Sequence, residues 1–176
     1  MLRELMNDDF DAIHEYASDP VNTQYMSFGP NSVEETRAFI TRMQSLANAE
    51  PRITYALAIV LEDTEELIGG CGLMVQSDIN KDAEMGYILN PKYHRRGFAH
   101  EACIGLIKLG FEQLGLHRIY AFHHPDNPQS GKVMRKLGMQ YEGLMRRSHW
   151  IKNSWWDFHV YAIIEDDPQP TWECNN

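Results

Sequence analysis

The chain has 176 residues, of which 43% are hydrophobic, and a formal net charge of −9 from 16 basic and 25 acidic side chains. This length can bury a core without disulfides, and the acidic balance argues against a nucleic-acid-binding protein, which normally carries a basic surface. The charge is uneven, because residues 92–152 hold 11 basic and 4 acidic side chains while the remainder holds 5 and 21. One basic stretch in an acidic chain favours a local anion site.

Membrane and secreted classes are also disfavoured. The longest apolar run, residues 55–61, is far too short to span a bilayer. The N-terminus lacks the apolar core of a signal peptide, and the cysteines, Cys71, Cys103 and Cys174, form no CxxC pair. We therefore expect a cytoplasmic protein with no membrane attachment, no disulfide framework and no cysteine zinc site.

The first third of the chain predicts a short strand and two helices. Residues 1–5 are strand-like, and residues 8–18 place their apolar side chains on one helical face. A second helix is expected from Ser32 to about residue 48, because Ser32 and Glu35 have the spacing of a capping box.

The rest of the chain alternates between strands and helices. Strand-like runs are expected at 54–62, 66–76, 83–89, 118–123, 139–150 and 155–164. Helical patterns run over 97–114 and 128–137, and Gly138 closes the second helix. This order predicts an α/β (α+β) domain over residues 1–167, with a mixed, mostly antiparallel sheet of about seven strands and helices on both faces. A loose tail is expected at 168–176.

A basic loop lies between the third of these strands and the long helix. His94, Arg95 and Arg96 precede Gly97, where the helix begins. The free N–H groups and positive dipole of a helix N-terminus then face a loop with two arginines, which is a phosphate-binding arrangement. Because the motif is short, a solvated surface turn remains an alternative on these residues alone. The loop contains neither a Walker A motif nor Gly-x-Gly-x-x-Gly.

The residues around this loop resemble the acetyl-CoA-binding segment of GNAT-type N-acetyltransferases. The resemblance begins with AEMGYILNP at 83–91 and YHRRGFAHEA at 93–102. Further matches follow in the family's order at 114–119, 127–133, 136–139 and 142–143. The closing residues 156–161 resemble the branch that contains the bacterial ribosomal-protein N-terminal (alanine/serine) acetyltransferases. The resemblance covers nearly the whole chain and implies the acyl-CoA N-acyltransferase fold with acetyl-CoA as co-substrate.

The resemblance also implies a set of cofactor contacts. Backbone amides of the loop and first helical turn hold the pyrophosphate, which here means His94, Arg95, Arg96, Gly97, Phe98 and Ala99. His94 departs from the family's usual Gln or Arg. The strand before the loop pairs with the pantetheine, and one of its amides faces the thioester oxygen; the residues implied are Tyr87, Ile88 and Leu89. Asn127 is implied to bind the pantetheine arm, Ser130 to reach the sulfur, and Lys132 to meet a phosphate.

Two residues are candidates for the acid–base chemistry. Glu84 corresponds to a position where some superfamily members place a glutamate base; the alternative is a carboxylate that points to solvent opposite a buried Met85. Many members use a tyrosine seven residues after the motif asparagine to protonate the thiolate, and here that position is Met134. Ser130 is the substitute by position; its alternative role is capping or packing of the short helix.

The predicted function is therefore direct transfer of an acetyl group from acetyl-CoA to a primary amine. The acceptor is either a protein N-terminal amine, such as that of a ribosomal protein, or a small-molecule amine. A non-catalytic acyl-CoA-binding or sensing module remains the alternative, because the usual tyrosine is missing. Eight histidines form no His-x-x-x-His pair, so no metal site is predicted. Oligomeric state has no sequence signal here, and a homodimer stays open.

Overall fold

Seven strands form one sheet in the computed structural model, which describes residues 1–171 of the chain. The strands are β1 (Leu2–Glu4), β2 (Thr54–Val60), β3 (Leu67–Ser77), β4 (Asp82–Leu89), β5 (Arg118–His123), β6 (Gln140–Ile151) and β7 (Ser154–Ile164). Their order across the sheet is β1-β2-β3-β4-β5-β7-β6, and among these described strands only β4 and β5 pair in parallel. The prediction of a mixed, mostly antiparallel sheet is confirmed.

Four α-helices lie on the sheet, and local signals set most of their ends. They are α1 (Phe10–Ala17), α2 (Val33–Ala47), α3 (Phe98–Lys108) and α4 (Pro128–Lys136). The predicted capping box of α2 is present, since Glu35 N–H donates to Ser32 Oγ and the Glu35 carboxylate accepts from Ser32 N–H. Gly138 follows α4 with a φ of +80°, a left-handed conformation that favours glycine.

The long helix after the basic loop ends differently from the prediction. A continuous α-helix was expected to residue 114, but Leu109–Gln113 form a π turn after α3. Because Gly110 has no side chain, this turn can lie close to β5: a Cβ on Gly110 would be 2.6 Å from the Ile119 side chain. A tight contact with the sheet therefore accompanies the wider turn.

The sheet separates two hydrophobic clusters. One lies under α3 and α4 and includes Met85, Leu106, Ile119, Met134 and Ile163. The other lies under α1 and α2 and includes Ile13, Ile40, Ala58 and Val60. Helices thus cover both faces, as predicted, and β2 contributes alternate side chains to the two clusters, with Ala58 and Val60 in one and Ile59 in the other.

The final hairpin closes with a two-residue turn. Lys152 and Asn153 both have positive φ, at +49° and +59°, which is the pattern of a type I′ turn. The predicted hairpin is confirmed, with Ser154 as the first residue of β7. After it, the Gln169 amide donates to the carbonyl oxygens of Ile164, Glu165 and Asp167. The last part of the predicted tail, residues 172–176, lies outside the described residues.

Candidate active site

Strands β4 and β5 part near the middle of the sheet. Their parallel pairing joins Asp82–Glu84 only to residues 118–120, whereas β4 continues to residue 89 and β5 to residue 123. Beyond the paired part, residues 85–89 and 121–123 line an opening that we call the wedge. Backbone groups of β4 that face the wedge have no partner strand, so an extended ligand can pair with them.

The hydrogen-bond alternation of β4 determines which backbone groups face the wedge. Asn90 N–H donates to the Ile68 carbonyl of the neighbouring chain segment at 2.8 Å. Every second residue pairs in this way, so the backbone of Ile88 is directed to β3, opposite Gly70. The backbone groups of Tyr87 and Leu89 are directed to the wedge. Of the three strand residues predicted to pair with pantetheine, Ile88 is therefore the one whose own amide and carbonyl face away.

The loop after β4 presents an array of amides. Arg95 and Gly97 have φ values of +61° and +89°, and α3 begins at the next residue, Phe98. Alternation between left-handed and ordinary backbone conformations turns successive N–H groups toward one side and forms an anion-binding concavity. The first N–H groups of α3 also lack partners within the helix. Glycine is favoured at position 97, because other residues rarely adopt this positive φ.

The basic side chains of this loop have different environments. His94 Nε2 donates to the Leu89 carbonyl at 3.2 Å, so the imidazole braces the loop against the end of β4. The same carbonyl accepts a bond from Asn22 Nδ2 at 3.1 Å. The Arg96 guanidinium lies over the rings of Tyr93 and Phe98, whereas Arg95 is exposed. Both arginines belong to the loop that carries the amide array.

The start of α4 adds polar groups on the same side of the sheet. Asn127 is the N-cap, and its Oδ1 accepts from Ser130 N–H at 3.4 Å. Ser130 Oγ lies 2.8 Å from the Tyr87 hydroxyl, which reaches across from β4. Burial raises the pKa of Tyr87, so the phenol is neutral. Lys132 is exposed on the same helix. The predicted residues Asn127 and Ser130 therefore lie together with the side chain of Tyr87.

Glu84 lies on the opposite face of β4. Its side chain alternates with buried Met85 and half-buried Tyr87, and it is itself half-buried beside Tyr120, its register partner on β5. Burial raises the pKa of Glu84. Burial, and then the charges of Glu84 and Asp82, raise the pKa of Tyr120. Two residues further along β4, a Cβ on Gly86 would meet no atom within 4 Å, so this face is open. Glu84 is thus neither fully solvated nor enclosed.

An aromatic wall, formed by Tyr25, His124 and Trp156, borders this open face. Tyr25 stacks on His124 with ring centroids 5.1 Å apart, and Trp156 meets His124 edge-on at 4.9 Å. Lys152 Nζ donates to the Thr23 carbonyl at 2.7 Å and joins the final hairpin to the loop that carries Tyr25. Sequence reasoning missed Tyr25 and His124, because only the tertiary fold brings these distant segments together.

Residues 1–171 contain neither a metal-binding cluster nor a membrane-spanning helix. In that part of the chain, no three His, Cys, Asp or Glu side chains are grouped to bind a metal ion. None of the described helices has the length and apolar character needed to cross a membrane. The groups at or beside the wedge are an anion-binding loop, an unpaired strand edge, two neighbouring hydroxyls and a half-buried carboxylate.

This combination of an anion-binding loop and an unpaired strand edge is typical of an acyltransferase that uses an acyl-CoA. Residues 1–140 match the acetyltransferase (GNAT) domain family, and the chain belongs to that family. It is an acetyl-CoA-dependent N-acetyltransferase that acts on an amine. The chain is 33% identical over 167 residues to the uncharacterized N-acetyltransferase YnaD of Bacillus subtilis. The aligned residues cover 95% of this chain and 94% of that protein.

Other relatives and solved structures agree with this assignment. The crystal structure of a GNAT-family acetyltransferase from Bacillus anthracis has a TM-score of 0.83 and 32% identity, and covers 94% of this chain and 95% of that chain. The ribosomal-protein-serine acetyltransferase of Escherichia coli is 30% identical over 112 residues, or 64% of this chain and 63% of that protein. Spermidine N-acetyltransferase from Vibrio cholerae, solved with CoA and spermine, shares the fold, with a TM-score of 0.81, 21% identity and coverage of 95% and 96%.

Proposed function

We propose that acetyl transfer takes place across the wedge, with acetyl-CoA on the α4 side and the amine on the side of Glu84. The observation that carries this proposal is the placement of Glu84 and Ser130 on opposite faces of the sheet at its parting strands. A thioester in the wedge is then accessible to an amine from one face and to a hydroxyl from the other. Direct transfer needs no covalent enzyme intermediate in this arrangement.

The cofactor contacts follow from the geometry of the loop and strand. The amides of residues 94–99 hold the pyrophosphate, with Arg95 and Arg96 adding positive charge, and exposed Lys132 meets a further phosphate. The backbone groups of Tyr87 and the N–H of Leu89 pair with the pantetheine arm, since the Leu89 carbonyl already accepts from His94 and Asn22. The Asn127 amide also donates to the pantetheine arm. A β4 amide also faces the thioester oxygen as an oxyanion donor.

The carboxylate of Glu84 takes the proton that the amine must lose. An alkyl ammonium has a pKa of about 10.4, so at neutral pH most of the acceptor is protonated and unreactive. The raised pKa of Glu84 makes it a stronger base than an exposed glutamate. The neutral amine attacks the thioester carbon, the C–N bond forms and the C–S bond breaks. Ser130 stabilises the sulfur that leaves.

The acceptor is a cationic amine whose body lies against the aromatic wall. Aromatic faces attract ammonium groups and also pack against apolar side chains. The acidic surplus outside residues 92–152 attracts cations toward this protein. A peptide N-terminus and a polyamine both fit this description. The named activities of the relatives on ribosomal proteins and on spermidine define the two classes to compare.

A thiol-release assay with acetyl-CoA tests the proposal. The acceptor panel contains a peptide with the N-terminus of a ribosomal protein, the same peptide blocked by N-formylation, and spermidine. Thiol release with a free amine, together with a mass gain of one acetyl group on that amine, supports the proposal. CoA binding without release on any acceptor would instead support the sensing module, and absence of CoA binding would contradict both.

A further inference from the structure

A pair of hydroxyls joins β4 to α4 beside the wedge. The Tyr87 hydroxyl oxygen lies 2.8 Å from Ser130 Oγ and 3.1 Å from the Ser130 carbonyl oxygen. The two residues are separated by 43 positions in the sequence, so the contact exists only in the folded protein. A phenol has one proton and donates to one of these two oxygens at a time.

The direction of this bond decides where the Ser130 proton points. When Tyr87 donates to Oγ, which is the nearer oxygen, the Ser130 hydroxyl keeps its own proton for another acceptor. When Tyr87 donates to the carbonyl, Ser130 donates to Tyr87 and has no proton to offer. The first arrangement is the one in which Ser130 can act on a leaving sulfur.

The residue of α4 at the family's usual tyrosine position supplies no competing donor. Met134 occupies the position where many members of the superfamily have a tyrosine, and it is only 1% exposed, within the cluster under α3 and α4. A thioether has no proton to donate, and this one is enclosed by apolar side chains. The phenol nearest to Ser130 therefore comes from the strand and not from the helix.

We propose that Tyr87 is a positioning residue, whose hydroxyl donates to Ser130 Oγ and thereby directs the Ser130 proton toward the sulfur of bound CoA. This inference rests on the proposed function for the site of the sulfur. As the C–S bond breaks, its electron pair remains on sulfur, and the Ser130 O–H donates a hydrogen bond to it. Glu84 takes one proton from the ammonium before the attack, and the second proton, which the nitrogen loses as the amide forms, balances the proton that the thiolate gains as CoA–SH.

Tyr87 itself stays protonated throughout. Burial raises its pKa, so loss of the phenolic proton is disfavoured. The other titratable groups beside the pair are Cys103 on α3 and His123 on β5, which packs against Gly131. Burial raises the pKa of the Cys103 thiol and lowers the pKa of His123, so both are neutral above neutral pH. In a Cys174→Ser background, which removes the remaining thiol of the chain, a titration in that range therefore reports on the CoA thiol, because burial also raises the pKa of Cys71 to about 12.

The first experiment compares Tyr87→Phe with Tyr55→Phe. Tyr55 is a partly buried tyrosine on β2 whose hydroxyl also donates to a backbone carbonyl, that of Arg52, so the control loses the same atom far from the wedge. We expect Y87F to lower kcat about tenfold with the KM for acetyl-CoA unchanged within about twofold, and Y55F to change neither. Equal kcat values for the two variants would overturn the proposal.

The second experiment measures the pKa of the CoA thiol in the binary complex, from the ultraviolet absorbance of the thiolate. A free thiol has a pKa of about 8.5. We expect a lower value for CoA bound to the wild-type protein, and a rise of about one pKa unit in Y87F, because the thiolate loses an oriented donor. If Tyr87 only stabilised the fold, the pKa of the bound CoA thiol would be the same in Y87F as in the wild type. That result would reject the positioning role.

Two further results keep the test decisive. If Y87F does not fold, Ser130→Ala replaces it, and we expect the same rise in the pKa of the bound thiol; an unchanged value overturns the proposal. In the Y87F/S130A double variant the rise should equal that of S130A alone, because Tyr87 acts through Ser130. If the wild-type protein binds CoA but acetylates no amine, the proposed function fails, while the titration still tests the hydroxyl pair.

Discussion

Glu84 combines burial with an open approach for the acceptor, and this environment predicts how activity depends on pH. The raised pKa of Glu84 moves the acidic limb of the rate profile above the ordinary range for glutamate. In Glu84→Gln we expect that limb to disappear and the rate at neutral pH to fall about 100-fold, since general base catalysis is lost. Rates measured from acidic to mildly alkaline pH check this, with exposed Glu112→Gln as the control.

The stability of Glu84→Gln separates chemistry from misfolding. A carboxyl group whose pKa is raised by folding stabilises the protein below its unfolded pKa, and this contribution is lost as pH rises through the folded pKa. At neutral pH the ionised Glu84 therefore opposes folding, and Gln does not. We expect E84Q to unfold at the same temperature as the wild type or a higher one. A rate profile that matches the wild type would remove Glu84 from the role of base.

Gly131 and His123 depend on each other at the start of α4. A Cβ on Gly131 would lie 2.5 Å from His123 Nε2. His123 Nδ1 donates to the His124 carbonyl at 2.8 Å, so Nε2 carries a lone pair, and no described side chain or backbone group is its partner. The ring cannot move away freely because it is buried between β5 and α4. The glycine therefore makes room for an unusual buried imidazole.

We expect Gly131→Ala to lower the free energy of unfolding by about 1–3 kcal/mol, because it overpacks this contact. In a His123→Ala background the same substitution should cost much less, since the ring is absent. Gly86→Ala is the matched control, because a Cβ there meets no atom within 4 Å. Urea unfolding of the single and double variants measures the coupling. Additive effects of G131A and H123A would contradict the contact.

At the scale of the elements, the loop between β4 and α3 combines backbone amides with two exposed arginines. The left-handed conformations of Arg95 and Gly97 set the direction of the loop amides. An arginine charge can therefore be removed without disturbing these amides, provided that the new residue tolerates a left-handed conformation. Asparagine tolerates it better than most residues. The double variant Arg95→Asn/Arg96→Gln therefore separates the charge of the loop from its shape.

For this variant we expect the Kd for CoA to rise about tenfold at low ionic strength, and the difference from wild type to shrink toward 1 M salt. Calorimetric titrations at several salt concentrations measure both effects. The double variant Arg37→Gln/Arg42→Gln, at two exposed arginines on α2, controls for the loss of two positive charges. The same Kd as wild type at low salt would show that the arginines do not contribute and that the amides act alone.

Sequence signals were sufficient where an element is determined by its own residues. The capping box of Ser32 and Glu35, the turn after α4 at Gly138 and the final hairpin depend on neighbours within a few positions, and all three predictions are confirmed. The π turn at Leu109–Gln113 was missed, because it accompanies contacts between Gly110 and side chains of distant segments.

In the candidate site, too, some features could be predicted from the sequence and others depend on the folded structure. The resemblance supplied the positions of the loop and of Ser130, since these follow motif order along the chain. The alternation of β4 hydrogen bonds, which turns Ile88 away from the wedge, requires the register with β3. The Tyr87 hydroxyl and the stack of Tyr25 on His124 also depend on long-range packing. No spacing in the sequence encodes these contacts.

At the scale of the whole molecule, the sheet divides the protein into two sides of different charge. The side with α3 and α4 contains most of residues 92–152, where basic side chains exceed acidic ones by 11 to 4. The helices α1 and α2 cover the other face and belong to the acidic remainder. Under the proposed function, an anionic cofactor and a cationic acceptor are attracted to opposite sides of the sheet, and these sides connect at the wedge.

This two-sided arrangement predicts that both substrates are bound before the acetyl group moves. A covalent route would need an accessible nucleophile, and the two described cysteines are both buried in the core. Burial raises the pKa of Cys71 to about 12 and raises the pKa of Cys103 well above its ordinary value, so neither forms a thiolate near neutral pH. The acetyl group therefore has no thiolate in the described residues to which it can move.

We expect initial rates, measured against acetyl-CoA at several fixed amine concentrations, to give intersecting rather than parallel reciprocal plots. Protein incubated with radiolabelled acetyl-CoA and no amine should retain no label after denaturing gel filtration. Cys174 lies beyond the described residues, so Cys174→Ser is assayed in parallel and should behave like the wild type in both experiments. Parallel plots together with label retained on the protein would establish a covalent intermediate and refute direct transfer across the wedge.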